Sequence, residues 1–179
     1  MPPHTGPEAR RYGLRLAASL LWAVALMPPA WMVHAAAPAP ENIEQFPSTQ
    51  MSIRTRTGLE WFSVWIADTP AREQQGLMFV RWLPSDHGML FPQAAPRVMT
   101  MWMKNTLIPL DMLFIDVKGR VMYIRERTTP QSEDRISTPV AVKAVLELTG
   151  GQCAKLGIQV GDRVQHRLFG SAPEGPVAN

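Results

Sequence analysis

The chain has 179 residues, 18 Lys and Arg against 15 Asp and Glu, and a single cysteine. One cysteine excludes an internal disulfide. Three of the basic residues and one acidic residue fall within the first 35 positions, so the remainder carries a net charge of +1. Its basic residues are scattered singly, which gives no clustered footprint for nucleic acid or an anionic membrane.

In chain order, Arg10, Arg11 and Arg15 precede an apolar run from Leu16 to Met27, and Val33-His34-Ala35 then supplies the pattern a signal peptidase reads. Residues 1–35 are predicted to be a signal peptide cleaved after Ala35, which makes the mature protein periplasmic or secreted. The apolar run is shorter than the roughly 20 residues a membrane span requires. No retained transmembrane helix is expected, and no lipoprotein anchor, because Cys153 lies far from the cleavage site. Residues 36–50, rich in Pro and Ala, read as a flexible linker, 51–168 as one β-rich domain and 169–179 as a disordered tail.

Within the domain, Met51 to Thr57 and Glu60 to Ala67 flank a turn at Gly58 and are rich in β-formers, which predicts a hairpin. Asp68-Thr69-Pro70 followed by Glu73 and Gly76 provides a cap, a proline at the first helical position, an acidic first turn and a stop. This predicts a helix of about two turns. Further strands are expected at 88–91, 97–103, 110–116, 120–127, 140–148 and 163–168. Such spacing predicts a mostly β fold, a compact antiparallel sandwich or barrel with one or two short helices. Gly150 to Gly157 reads as a short helix with Cys153 and Leu156 on one face, a buried and inert setting for the thiol.

The richest stretch runs from Val98 to Asp116. If Lys104 to Pro109 is a hairpin loop, Met101 faces Met112, Met99 faces Phe114 and Trp102 faces Asp111. The next turn, Asp116 to Arg120, offers Gly119 as a left-handed bulge residue and would pair Ile124 with Met112 and Arg125 with Asp111. A plain two-residue turn would set Glu126 against Asp111, like charge against like. The bulged register is therefore expected, with Trp102, Asp111 and Arg125 in one row. That row can be a ligand-binding cleft together with Lys104, Asn105 and Thr106, or a structural ion pair that satisfies a partly buried Asp111.

Several of these residues also carry a resemblance. Gly76-Leu77-Met78, Gly88-Met89-Leu90-Phe91, Trp102 to Thr106, Pro109-Leu110-Asp111, Phe114-Ile115-Asp116, Glu147 within Val145 to Leu148, and Gly157-Ile158 with Gly161-Asp162 resemble the prokaryotic family catalogued as domain of unknown function 192. The resemblance covers about Met51 to Leu168 and implies a compact, mainly β domain, often exported, with no reaction attached. Met99 and Met101 stand outside its pattern.

Three functions compete at this level. The first is a binding module for a small polar ligand or an envelope component, using Trp102, Lys104, Asn105, Thr106, Asp111, Arg125 and Glu147. The second is a hydrolase- or lyase-type enzyme with Asp111 and Glu147 as acid and base and Lys104 stabilising negative charge. The third is Cu(I) handling by Met99, Met101 and Met103, whose alternation puts three thioethers on one strand face, against a plain methionine-filled core. Ser85-Asp86-His87 reads as a surface turn. No motif implies a cofactor, and no metal site is assigned.

Overall fold

The computed structural model describes residues 39–172. The signal peptide expected at 1–35 and most of the expected tail lie outside them.

Eleven elements matter here: β1 (Ser48–Arg54), β2 (Leu59–Ile66), α1 (Pro70–Gln75), β3 (His87–Arg97), β4 (Thr100–Met101), β5 (Leu110–Ile115), β6 (Val121–Arg125), β7 (Ile136–Ser137), β8 (Val142–Thr149), α2 (Gln152–Leu156) and β9 (Arg163–Gln165). Seven strands form one curled sheet in the order β6-β5-β8-β3-β2-β1-β9, and β4 pairs with β7 separately. The fold is mostly β, a half-barrel with two short helices. All neighbours in the large sheet are antiparallel except β2 and β3, which run parallel.

Locally encoded elements sit where the sequence puts them. β1 and β2 form the expected hairpin. α1 has Thr69 as its cap, the hydroxyl accepting from the Arg72 amide at 3.3 Å, with Pro70 in its first turn and Gly76 ending it. Gly119 has φ +78°, and a Cβ there would lie 2.4 Å from the Val164 carbonyl oxygen. It is needed twice, for the left-handed turn and for the approach of β9. At that corner the outer strands meet: the Val164 amide donates to the Gly119 carbonyl at 2.7 Å, and the Val121 amide to the Asp162 carbonyl at 2.9 Å.

Both faces of the sheet are covered, so β5 is buried along its whole length. One face packs Met51, Ile53, Phe62, Leu113, Leu146, Leu148 and Cys153 together, with Leu156 against them. The other packs Trp65, Leu77, Met89, Phe91, Met99, Met112, Phe114 and Val145. Burying such apolar side chains contributes about 1.5–3 kcal/mol each and dominates the fold's stability.

Order extends beyond the expected domain edges. In the segment read as a linker, residues Ile43–Gln45 form a 3-10 turn, Phe46 is buried and β1 begins at Ser48. At the other end Phe169 is buried against the first face. Burial of each aromatic offsets part of the chain entropy lost by its short segment.

Two register expectations are overturned. β4 pairs with β7, not with β5, whose two edges are taken by β6 and β8. Met101 therefore does not face Met112, and Trp102 does not face Asp111. In the β5–β6 hairpin the Gly119 turn does set Ile115 opposite Val121, as expected. A bulge at Met122 then shifts the ladder, pairing Phe114 with Tyr123, Leu113 with Ile124 and Met112 with Arg125. The like-charge clash feared in this register does not arise, because β6 ends at Arg125 and Arg127 turns the chain with φ +48°.

Candidate functional site

β5, β8 and β3 lie side by side, and their pairing sets two rows on opposite faces. On one face Met89, Glu147 and Met112 stand in line across the three strands. One residue along, Gly88, Leu148 and Asp111 make the row of the other face. Glu147 and Asp111 are thus near neighbours along the ladder, with the sheet between their side chains. This arrangement separates the acid and base that an Asp111/Glu147 mechanism needs.

Asp111 is fully buried and fully engaged. Its Oδ1 accepts the backbone N–H groups of Arg127 and Gly151, and its Oδ2 that of Cys153, each at 2.8 Å. These donors come from the chain after β6 and from the start of α2, so one carboxylate pins two loops to the sheet. Gly151 has φ +89°, and a Cβ would press on the Arg127 guanidinium at 3.0 Å. Arg125 takes no part. It is exposed, opposite Met112, on the face that Asp111 does not share.

Glu147 is buried to the same degree, at 4% exposure, with a different outcome. No described residue hydrogen-bonds to its carboxyl group, and the group borders a cleft of about 90 Å³. With methionine side chains on both sides and no compensating donor, burial pushes its pKa up to about 8 from 4.5. That shift favours the neutral acid, a form that offers an O–H donor and a carbonyl acceptor.

The cleft is assembled from distant pieces of chain. The end of α1 and its following turn give Glu73, Gly76, Leu77 and Met78, β3 gives Phe91 and Arg97, and residues 99–106 give Met99, Met101, Trp102, Lys104 and Thr106. Trp102 is 44% exposed, and the Lys104 ammonium stands 5.6 Å from its ring centroid and 3.8 Å from a Glu133 carboxylate oxygen. Arg97 is bound to Glu73 at 2.9 Å. The ionisable groups around Glu147 are accordingly two cations and their two carboxylate partners, Arg97 with Glu73 and Lys104 with Glu133, all nearer the rim.

Of the seven residues the sequence singles out for ligand binding, the structure brings Trp102, Lys104, Thr106 and Glu147 to one cleft. Asn105 is adjacent but shapes the turn: it has φ +56°, and its carbonyl accepts the Phe79 amide at 2.9 Å. Asp111 and Arg125 lie elsewhere. Met99 and Met101 line the cleft, whereas Met103 is buried and accepts a hydrogen bond from the Thr128 hydroxyl at 3.1 Å. The three methionines do not form one stripe. Sequence reasoning missed Phe91, Arg97 and Met78, which nothing local connects to Glu147. The available signal was a lone acid in β8, between apolar neighbours from Ala144 to Leu148.

Two further sequence features resolve simply. His87 pairs with the adjacent Asp86 at 2.8 Å, and this hydrogen bond lowers the Asp86 pKa. Cys153 is buried, and desolvation, then the Asp111 carboxylate, push its thiol pKa well above the ordinary range.

The model of the domain of unknown function 192 family, described as an uncharacterized ACR, matches residues 51–166. No curated protein matches the chain. Among solved structures, a "putative transcription regulator" from Sinorhizobium meliloti 1021 is 39% identical, covers 69% of this chain and 96% of its own, and superposes with a TM-score of 0.67. A protein of unknown function from Novosphingobium aromaticivorans DSM 12444 is 36% identical, covers 74% of this chain and 94% of its own, and has a TM-score of 0.68. The match spans the whole half-barrel, from β1 to β9, and on it the chain belongs to the domain of unknown function 192 family.

Proposed function

We propose that this is an exported binding module that takes a small ligand, free or as part of an envelope component, in the cleft between Glu147 and Trp102. One observation carries the reading: Glu147 is buried without a hydrogen-bonding partner, and its carboxyl group borders open space. A carboxyl group largely withdrawn from solvent in the middle of a strand costs stability whenever it is charged, and a fold selected for stability alone would place an apolar residue there. Trp102 adds an aromatic wall at the rim, and Lys104 and Arg97 add charge. A volume near 90 Å³ suits a group of a few heavy atoms or the end of a larger molecule.

The test is a fragment screen on the full chain, read on the methyl resonances of ¹³C-labelled methionine. Binders should shift Met78, Met99 and Met101 together, and Glu147→Leu should abolish the response while unfolding cooperatively. Binders that shift other methionines alone would defeat the proposal. Export is checked by sequencing the amino terminus of protein recovered from the cell envelope, where a start near Ala36 is expected and an intact Met1 would refute it.

The thioethers of Met78, Met99 and Met101 around one cleft favour Cu(I) as a second reading. Arg97 paired with Glu73 and Lys104 paired with Glu133 leave the rim without excess charge of either sign. A competition titration with a Cu(I) chelator separates the two, tight stoichiometric binding lost on Met99→Leu with Met101→Leu being the outcome that would favour copper.

A further inference from the structure

β4 is a strand with one open edge. Its pairing with β7 sets Thr100 against Ser137 and Met101 against Ile136, and the Thr138 amide donates to the Met99 carbonyl at 3.3 Å. Backbone groups alternate in direction along a strand, so Met99 and Met101 turn theirs toward β7, and Thr100 and Trp102 turn theirs away. The Met103 amide, which donates to the Ser132 carbonyl at 2.9 Å, continues that alternation. Among the described residues, none bonds the outward N–H and C=O groups of Thr100 and Trp102. The Glu147 cleft runs along this edge. Met99, Thr100, Met101 and Trp102 all line it, although successive side chains point to opposite faces, and the place where the two faces meet is the backbone edge. Gly76, Leu77 and Met78 stand across the cleft from it. Met99 and Met101 project to the side that packs with Met89 and Met112, the Glu147 face of the large sheet.

We propose that the cleft receives an extended peptide segment of a partner protein, which adds as an antiparallel strand to the free edge of β4 and places one small polar side chain beside Glu147. The inference rests on the cleft being a ligand site and adds the class of ligand. An added strand offers an N–H and a C=O at every second residue, the spacing at which Thr100 and Trp102 present theirs. The peptide residue opposite Met101 then projects its side chain on the Met101 side, toward Glu147. The cleft, about 90 Å³, admits a few heavy atoms there. A hydroxyl or a carboxamide both donates and accepts, so it satisfies the Glu147 carboxyl whether or not that group holds its proton. A carboxylate or an ammonium suits only one of the two forms. The paired rim, Arg97 with Glu73 and Lys104 with Glu133, compensates neither charge. Segments carrying serine, threonine or asparagine opposite Met101 are therefore the matching class.

The experiment titrates the full chain with the peptides acetyl-Val-Thr-Xaa-Thr-Val-amide, where Xaa is Ser, Asn, Ala or Lys. It is read on the Met99 and Met101 methyl resonances and on hydrogen exchange of the Thr100 and Trp102 amides. The Ser and Asn peptides should shift both methyl groups saturably and slow the exchange of both amides. The Ala and Lys peptides should bind about tenfold more weakly, for want of a group that both donates to and accepts from Glu147. Glu147→Leu should erase the preference for Ser over Ala and keep the amide protection. Methylating single nitrogens of the Ser peptide should abolish binding at the two Thr residues, whose N–H groups face β4, and be tolerated at Xaa, whose N–H faces away. Binding that leaves the two amides unprotected, or that tolerates methylation at a Thr nitrogen, would overturn strand addition and leave the cleft as a ligand site. Amides already protected in the free chain, with protection lost on dilution, would assign the edge to a second copy and overturn it likewise. So would small fragments that bind where no peptide does. If neither fragments nor peptides shift those methyl groups, the ligand-site reading falls with it.

Discussion

Asp111 and Glu147 are two buried carboxyl groups one step apart on the β5–β8 ladder, one on each face of the sheet. Loop amides reach one of them and not the other. Asp111 stands where the chain leaving β6 and entering α2 can turn three N–H groups onto it. Glu147 stands mid-strand on the opposite face, where neighbouring backbone groups are consumed by the ladders to β3 and β5 and the space above is apolar. Burial alone therefore does not fix the state of a carboxyl group. The separating feature is whether the fold has spent donors on it.

The largest expected effect is at Asp111. Asp111→Ala strands three amides of buried or half-buried segments and should destabilise the domain by about 3–5 kcal/mol, as breaking a buried, fully bonded charge does. Asp111→Asn should cost nearly as much, because an amide NH₂ would oppose at least one N–H donor. Urea unfolding of the three proteins checks this, and midpoints indistinguishable from wild type would show that the amide cage does not hold the loops.

Glu147 should behave in the opposite sense. Its folded pKa near 8 lies above the ordinary 4.5, so the native state binds a proton that the unfolded state releases. Stability is then undiminished below about pH 4.5 and declines as pH rises toward 8. Glu147→Gln removes that slope. The variant should match wild type at pH 4 and exceed it on the order of 2–4 kcal/mol at pH 8. A wild-type profile flat between pH 5 and pH 8 would mean that the carboxyl is solvated, and the contrast with Asp111 would collapse. Residues that oppose stability in this manner are characteristic of sites kept for another purpose.

How much of this was legible in the sequence follows the distance over which each feature is determined. Turn and cap chemistry within a few residues placed the β1–β2 hairpin, α1 from Thr69 to Gly76, the Gly119 turn and α2 around Cys153. Long-range choices were not visible: β3 running parallel to β2, β8 inserting between β3 and β5, and β4 seeking β7. Both acids were singled out, and both are buried on β5 and β8. Their grouping was misread because it depended on register, and a single bulge at Met122 moves Arg125 to the other face. The cleft needed α1, β3 and the 99–106 segment to be brought together over Glu147, which no sequence period encodes.

Cys153 offers a smaller, kinetic version of the comparison. It is buried beside Asp111, and its own amide is one of the three donors. In wild type the thiol should resist alkylation and react only through opening of α2. Losing about 1.4 kcal/mol of local stability raises the open population tenfold, so Asp111→Asn should accelerate labelling by at least that factor. Glu147→Gln should leave the rate unchanged or slower, since it does not touch α2. Equal rates in all three proteins would show that α2 is held by its apolar contacts alone.

The smallest expected effect is at Arg125, and it decides whether Asp111 belongs to a charge pair at all. Arg125 is exposed opposite Met112, while the Asp111 carboxylate is sealed on the far face by backbone groups. Arg125→Ala should change stability by less than about 0.5 kcal/mol, the range of an ordinary surface substitution. A double-mutant cycle with Asp111→Ala should give a coupling energy of at most about 0.3–0.5 kcal/mol, because the two residues share no partner. Had the ladder kept the register set at the Gly119 turn, the pair would face each other in the sheet, and a buried ion pair would couple by more than about 1 kcal/mol. The bulge at Met122 is what distinguishes the two cases, since it adds one residue to β6 and reverses the face of every side chain beyond it. Strong coupling would place Arg125 on the Asp111 face, remove the bulge, and return Asp111 to an ion-paired row in which loop amides are secondary.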